Sequence, residues 1–505
     1  MSFEFQVEPE VDLGSGYRLL ARGYRGSGRS TEPSDYTGGA TRSPSTQQAL
    51  SDELAEALDR AEMREEQAIE LTLIPEPGGA PSRSARQQDA VILETPDLGE
   101  GRGQVVMLTD EDGGISFHYP VESEGSQQVQ PPSVRGDAGT KVFLIPAEVL
   151  AVERGGGAET RSLIGTIGRK LIQVLSFPVV RTIGRQVGEP LVRRWEAKNR
   201  PYGIRWYSPS DFRRRDGRAV ADWADFDGER SLLFIHGTFS TSPGGFGGIP
   251  GELMAKLDER YGKRIFAFDH PSLSEDPVDN ARWFLEQIPD GIHLDLDIIA
   301  HSRGGLVARV LAGGKPDAQL DLSQVTVHAV VCAGTPNYGT PLADAEHLSA
   351  LCDRLATAAN LIPGLPAGEI IDVVLLLVQV VAQAVLEGLS GLEAMRPQSE
   401  FLQSMNTAPG TTTRYFGVAA DYEPTETGMK RVVAGLKDGA VDFVFQGIGN
   451  DLVVPTLGVH FGEHPFAIDP SDVVSFEPSR GVMHSTYWKE PELAVAFADW
   501  LSEGP

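Results

Sequence analysis

Ser302 lies in the run Leu296-Asp297-Ile298-Ile299-Ala300-His301-Ser302-Arg303-Gly304-Gly305-Leu306-Val307-Ala308-Arg309. An apolar stretch of strand character passes through five residues, Ala300 to Gly304, into a stretch of helical character. A hydroxyl at so sharp a turn stands above a sheet and at the start of a helix, placed to attack an electrophilic carbon. The backbone crowds itself there, so the positions two before and two after the serine must be small. Ala300 and Gly304 satisfy that demand.

Such a hydroxyl needs a general base, and the base needs an orienting acid. Downstream acids are Asp421 in VAADYEP, Asp438, Asp442, and Asp451 in Gly449-Asn450-Asp451-Leu452-Val453-Val454-Pro455. Asp451 is preferred, because it follows the apolar run FVFQGI and Val-Val-Pro can carry a loop onward. Three histidines lie beyond it: His460 and His464 in the polar stretch GVHFGEH, and His484 in Arg480-Gly481-Val482-Met483-His484-Ser485-Thr486-Tyr487-Trp488. His484 is preferred, since it falls between the strand-like VVSF and the terminal helical run PELAVAFADWL. Leu232-Leu233-Phe234-Ile235 is a further apolar run that ends in His236-Gly237-Thr238-Phe239. His236 is expected to brace that loop and not to serve as the base.

From about Ser231 strand-like and helical runs alternate, as in a parallel sheet with crossover helices. SLLFIHG, RIFAFDH, LDIIAHS, VHAVVCAG, RYFGVAA and VVSFEP are the strands, and the chemistry gathers at their C-terminal ends. Two further stretches stand out: Cys332-Ala333-Gly334-Thr335-Pro336-Asn337-Tyr338-Gly339-Thr340-Pro341-Leu342-Ala343, and Gly391-Leu392-Glu393-Ala394-Met395-Arg396-Pro397-Gln398-Ser399-Glu400-Phe401-Leu402.

With these motifs in order, residues Ser231 to Leu501 resemble the lipase/esterase branch of the α/β-hydrolase superfamily, with triacylglycerol-lipase-like and inositol-deacylase-like members. Ala300 departs from the usual first glycine of the elbow. The resemblance implies a mostly parallel sheet with helices on both faces and a helical lid insertion. It implies a Ser302–Asp451–His484 triad acting on carboxylic esters, lipid-like by preference. Backbone N–H groups of Thr238 and Arg303 would form the oxyanion hole, with His236, Gly237, Ala300 and Gly304 in support. No cofactor and no metal is implied. The two stretches just quoted resemble the way into and out of the lid, about 342–395. Its core, Ile370 to Val381, is apolar around nearly the whole helix, so burial or an acyl-chain pocket is expected. An acyltransferase on the same triad, a membrane-attacking effector lipase and a non-catalytic binding scaffold are the alternatives.

The rest of the 505 residues is divided as follows. Residues 1–47, rich in Gly, Ser, Thr and Pro, are expected to be flexible. Leu50, Leu54, Leu58 and Ile69 predict one amphipathic helix over 48–73. Short runs at Ala90–Leu93, Gln104–Leu108, Ile115–Tyr119 and Lys141–Ile145 predict a small β-rich domain over 85–150. Residues 151–218 read as a basic helical linker, with fifteen Lys/Arg against five Asp/Glu over 154–218, and the hydrolase domain as 219–505. Ile164, Ile167, Leu171, Val174 and Leu175 fall at helical spacing there, with Arg169, Lys170 and Gln173 on other faces. Such a helix can dock on the chain's own acidic domains, on a protein partner or on an anionic membrane surface.

A net charge of −27 argues against nucleic-acid binding, which needs positive charge to release counterions. Two cysteines cannot build a disulfide framework, and no zinc pattern is present. The acidic first residues lack a secretory pattern, and Val373–Leu386 is too short to span a bilayer, so a cytoplasmic location is expected, with peripheral membrane association as a variant.

Overall fold

The protein was analysed as a computed structural model, which describes residues 1–5, 10–21, 24–31, 52–75, 90–99, 101–110, 114–121, 139–146, 170–179, 188–343, 348–349, 352–353, 356, 367–382, 389–422, 449–451, 453–460 and 465–501. The chain forms two compact units. One comprises residues 1–185, 349–385 and 430–440, and the other residues 186–348, 386–429 and 441–505.

The first unit is built from β1 (Ser2–Phe5), β2 (Glu10–Gly14), β3 (Tyr17–Ala21), β4 (Tyr24–Thr31), β5 (Arg64–Pro75), β6 (Ala90–Pro96), β7 (Arg102–Asp110), β8 (Ile115–His118), β9 (Thr140–Pro146) and β10 (Lys170–Pro178). They pair into a six-stranded sheet, β1-β4-β5-β10-β7-β8, and a four-stranded sheet, β2-β3-β6-β9. One core draws on both, with Leu19, Val91, Leu93, Phe143 and Ile145 from the smaller sheet and Ile69, Leu71, Val106, Ile172 and Val174 from the larger. Residues two apart along each strand line it, as period-two packing requires.

Five sequence expectations are corrected by the fold. Residues 1–47 supply four strands among the described residues, and in β3 Tyr17, Leu19 and Ala21 bury one face while Arg18 and Leu20 between them stay half-buried. The helix expected over 48–73 covers only Asp52–Arg60 among the described residues. The chain turns at Glu62, whose φ is +56°, and continues as β5, where Ile69 and Leu71 face the core on alternate positions. The stretch read as a basic helix contains β10, a central strand between β5 and β7. Both its faces are covered, so its apolar run lacks alternation and reads equally well as a helix. Lys170 is buried there and not presented to a membrane, while Ile164, Ile167 and Arg169 lie outside the described residues.

The fourth correction concerns the expected lid. Its helix, Ala367–Ala382, belongs to the first unit, where it packs on the helix Asp52–Arg60 and on β7. Gln379 Nε2 donates to the carbonyl of Ala61 at 2.9 Å, and Val374 to Val378 are buried. This accounts for a helix apolar nearly all round without an acyl chain. Leu377→Asp would bury an unpaired carboxylate, so the thermal transition of the first unit should lose roughly 3–5 kcal/mol. An unchanged transition would contradict this packing.

The second unit centres on β11 (Gly203–Trp206), β12 (Arg230–Ile235), β13 (Ile265–Asp269), β14 (Leu294–His301), β15 (Val325–Ala333), β16 (Arg414–Ala420) and β17 (Val473–Phe476). The strand order is β11-β13-β12-β14-β15-β16-β17, with β11 antiparallel at the edge and all other pairs parallel. Every side chain from Ser231 to Ile235 is buried, as expected for a parallel strand covered on both faces. The order reverses between β13-β12 and β14, and at such a switch point an open sheet leaves a crevice beyond its carboxyl ends. The unit begins near Gln186 and not at 219, because the helix Gly188–Asn199 and β11 belong to it. Among the described residues no helix is long and apolar enough to cross a membrane.

Candidate active site

Ser302 lies in the turn between β14 and the helix Gly304–Leu311, with a φ of +54°. That value is rare for a residue with a side chain, and the turn is held because Ser302 N donates to Ala333 O on β15 at 2.8 Å. Ala300, paired with Ile235 and Cys332, is fully buried between neighbouring strands. Gly304 presses on β12: a Cβ there would lie 2.3 Å from Ile235 O and 2.5 Å from His236 O. Backbone cannot yield as a side-chain tip can. Gly304→Ala should therefore destabilise the second unit by about 3 kcal/mol or more, read by denaturant unfolding, and a loss below about 1 kcal/mol would contradict the close approach. Gly237 serves the same crowding from the other side, since a Cβ on it would meet Ser302 Cβ at 2.5 Å.

Asp451 is buried and fully engaged. Its Oδ1 accepts from Val453 N at 2.9 Å and Val454 N at 2.7 Å, and its Oδ2 accepts from His484 Nδ1 at 2.7 Å and from the Tyr487 hydroxyl. Burial alone would raise its pKa, but the His484 ring, the Tyr487 hydroxyl and the backbone N–H groups outweigh that and hold it below the ordinary carboxylate value. With Nδ1–H committed to the carboxylate, His484 presents Nε2 as its free lone pair. The His484 carbonyl accepts from His301 Nε2 at 2.7 Å, and the two rings lie 4.8 Å apart. The acid–histidine pair is thus docked on the residue that precedes Ser302.

Asp421, the competing acid, accepts from Asn450 N at 3.2 Å and so braces the turn that carries Asp451. His460 follows the short 3-10 turn Thr456–Val459 and, among the described residues, bonds to no acid, while Asp438, Asp442 and His464 fall outside the described residues. His236 donates from Nδ1 to Gly237 O at 2.8 Å and accepts at Nε2 from His270 N at 3.1 Å. Both nitrogens are used to brace the loop, and burial holds the ring neutral. Phe239 follows Thr238 with a φ of +66°, and Thr238 Oγ1 donates to Met395 Sδ at 3.4 Å. Arg303 is wholly buried. Its Nη1 donates to Asn280 Oδ1 at 2.8 Å, its Nε to Gly391 O at 3.2 Å, and its Nη2 to Glu275 O. Burial pulls its pKa down to about 10.

Sequence reasoning missed Tyr487, although it stands three residues after His484. It also missed the purpose of Asn337, whose Oδ1 accepts from Arg309 Nη1 at 3.0 Å and whose Nδ2 donates to Val459 O at 2.6 Å. This bond ties the elbow helix to the loop beyond Asp451. Among the described residues no group of three or more His, Cys, Asp and Glu side chains is placed to hold a metal ion.

His236, His270 and His301 are all buried with pKa values lowered chiefly by burial, His301 to about 3. Unfolding lets each take up a proton below about pH 6.5, so the unfolded chain binds more protons there and stability falls as pH falls. The slope is up to about 1.4 kcal/mol per pH unit for each histidine. Melting followed from pH 7 to pH 4 should show it, and a flat profile would contradict the burial.

The sheet order, the left-handed elbow and the close-packed glycine beneath it define the second unit as an α/β-hydrolase fold. Within that superfamily the chain belongs to the family described as Domain of unknown function (DUF7379), whose model matches residues 199–502. Comparison with curated proteins finds no match. Among solved structures, phospholipase PlaB from Legionella pneumophila is 17% identical over 47% of this chain and 49% of its own, with a TM-score of 0.30. This chain therefore spans about half the length of that phospholipase. Lipase 1 from Pelosinus fermentans is 12% identical over 54% of this chain and 99% of its own, with a TM-score of 0.32. A metagenomic carboxyl esterase is 17% identical over 56% and 80%, with a TM-score of 0.28.

Proposed function

We propose that this protein is a serine hydrolase of carboxylic esters. The observation that carries the reading is the 2.7 Å Asp451–His484 bond, docked through His301 onto the elbow that holds Ser302. Ser302 Oγ attacks the ester carbonyl as His484 Nε2 takes its proton, giving a tetrahedral oxyanion. The imidazolium returns that proton to the departing alcohol and leaves an acyl-enzyme on Ser302. Water then repeats the sequence and releases the acid. Asp451 fixes the tautomer and stabilises the imidazolium. Backbone N–H groups of Thr238 and Arg303 receive the oxyanion, each worth roughly 3–4 kcal/mol in the transition state.

The substrate is a carboxylic ester of lipid-like chemistry. The apolar helix first read as a lid lies in the other unit, so the lipid preference rests on the motif likeness. A panel of p-nitrophenyl esters from acetate to palmitate, with a phospholipid, tests it. Rising kcat/KM with chain length supports the preference. Turnover confined to acetate would reduce the reading to a small-ester esterase, and turnover of none would remove it.

A further inference from the structure

Glu196 carries the inference. It belongs to the helix Gly188–Asn199, in a stretch with fifteen basic residues, and is only 1% exposed. Val192, one turn earlier, is buried with it, so the two share the helix face turned inward. The Glu196 carboxylate closes on one loop. Its Oε1 accepts from Ser272 N at 2.7 Å and Leu273 N at 2.8 Å, and its Oε2 accepts from Ser274 N at 2.9 Å and Ser274 Oγ at 2.6 Å. Three consecutive backbone N–H groups directed at one buried carboxylate make a rigid cradle, since charge-assisted bonds are about twice as strong as neutral ones.

That loop, which follows β13, bonds to the residue after Thr238 and to the side chain of Arg303. Ser272 Oγ accepts from Phe239 N at 3.1 Å, which fixes the left-handed residue directly after Thr238. On the other side Glu275 O accepts from Arg303 Nη2, while Asn280 donates to Pro271 O at 3.0 Å and accepts from Arg303 Nη1 at 2.8 Å. Leu273 O accepts from Gly391 N at 2.9 Å, and Gly391 O accepts from Arg303 Nε at 3.2 Å, which closes the ring. The backbone N–H groups of Thr238 and Arg303 come from loops far apart in sequence. Among the described residues the loop 271–275 and the segment 391–395, through Met395 and Gly391, both bond to the two sides, and Glu196 holds the loop 271–275.

We infer that Glu196 is a positioning residue for the oxyanion hole: it sets the loop 271–275, which through Ser272 and Glu275 fixes the backbone at Thr238 and Arg303. This rests on the serine-hydrolase reading. A hole of two fixed donors acts on charge that develops only in the transition state, and a displacement of about 1 Å can cost about 100-fold. Loosening the loop therefore lowers kcat and leaves ground-state binding in place.

The test uses full-length Glu196→Gln and Ser272→Ala, with turnover of p-nitrophenyl butyrate normalised to sites titrated by an organophosphonate. A trifluoromethyl ketone, which adds to the nucleophile as a tetrahedral oxyanion, serves as the transition-state probe. Glu196→Gln keeps the size of the side chain but sets an amide N–H against N–H donors. It is expected to lower kcat per titrated site by about 10- to 100-fold with KM within about threefold, and Ser272→Ala to do so by a smaller factor. Affinity for the ketone should fall in proportion to kcat/KM in both. A loss only in the fraction of titratable sites, or unchanged kcat per site, would overturn the inference. If Glu196→Gln does not fold, Ser272→Ala decides by the same criteria. Wild-type protein that turns over no ester overturns the hydrolase reading and this inference together, whereas wild-type turnover with intact variants overturns this inference alone.

Discussion

Ser302→Ala should lower ester turnover by about 10⁴-fold or more while leaving the fold intact, read as kcat/KM on a chain-matched p-nitrophenyl ester. The size follows from what the hydroxyl supplies. Without Oγ no acyl-enzyme forms, and His484 and the oxyanion donors can promote only direct attack by water. What survives is the part due to binding and the oxyanion hole. The substitution costs the fold little, because Ser302 earns its left-handed φ through the backbone bond from its own N–H to Ala333 O, which alanine keeps. A variant that melts like the parent but retains more than about a tenth of its activity would place the nucleophile elsewhere.

Asp451→Asn should come second, with kcat down by about 10³- to 10⁴-fold and KM little changed. An amide can keep the bonds from Val453 N and Val454 N through its oxygen. Its NH₂ then faces His484 Nδ1 and the Tyr487 hydroxyl, both of which donate to the native carboxylate. The imidazole is driven to the other tautomer, with Nε2 protonated and unable to take the Ser302 proton. Part of the loss should return at high pH with hydroxide as the base. Equal loss in Asp421→Asn would contradict the assignment, since Asp421 accepts from Asn450 N in the turn before Asp451.

The candidate site was legible in the sequence because its parts are local. The Ser302 elbow and the His236-Gly237 loop each sit at the end of an apolar strand, and strand ends show in one-dimensional pattern, while the segments around Asp451 and His484 stand out by the apolar runs that flank them in sequence. The structure places Asp451, His484 and His301 in hydrogen-bonded sequence beside Ser302. Glu196 was not legible. Its partners, Ser272 to Ser274, lie more than seventy residues away, and in sequence it reads as one acid in a basic stretch. The fold of the first unit was half legible. Strand β8 alternates, and β6, β7 and β9 declare themselves as short apolar runs between polar stretches. Strand β10 is buried on both faces and its apolar run mimics a helix. The helix Ala367–Ala382 deceived for a different reason: its apolar circumference calls for burial but does not say against which unit.

The central claim is that Ser302 is a nucleophile activated by His484. The most direct measurement is reaction of the full chain with a fluorophosphonate, followed by peptide mass spectrometry to locate the adduct. One phosphonyl group per chain on the peptide carrying Ser302 is the predicted result, with labelling slowed at least about 100-fold in His484→Ala. An adduct on any other residue, or equal labelling of Ser302→Ala, would contradict the account.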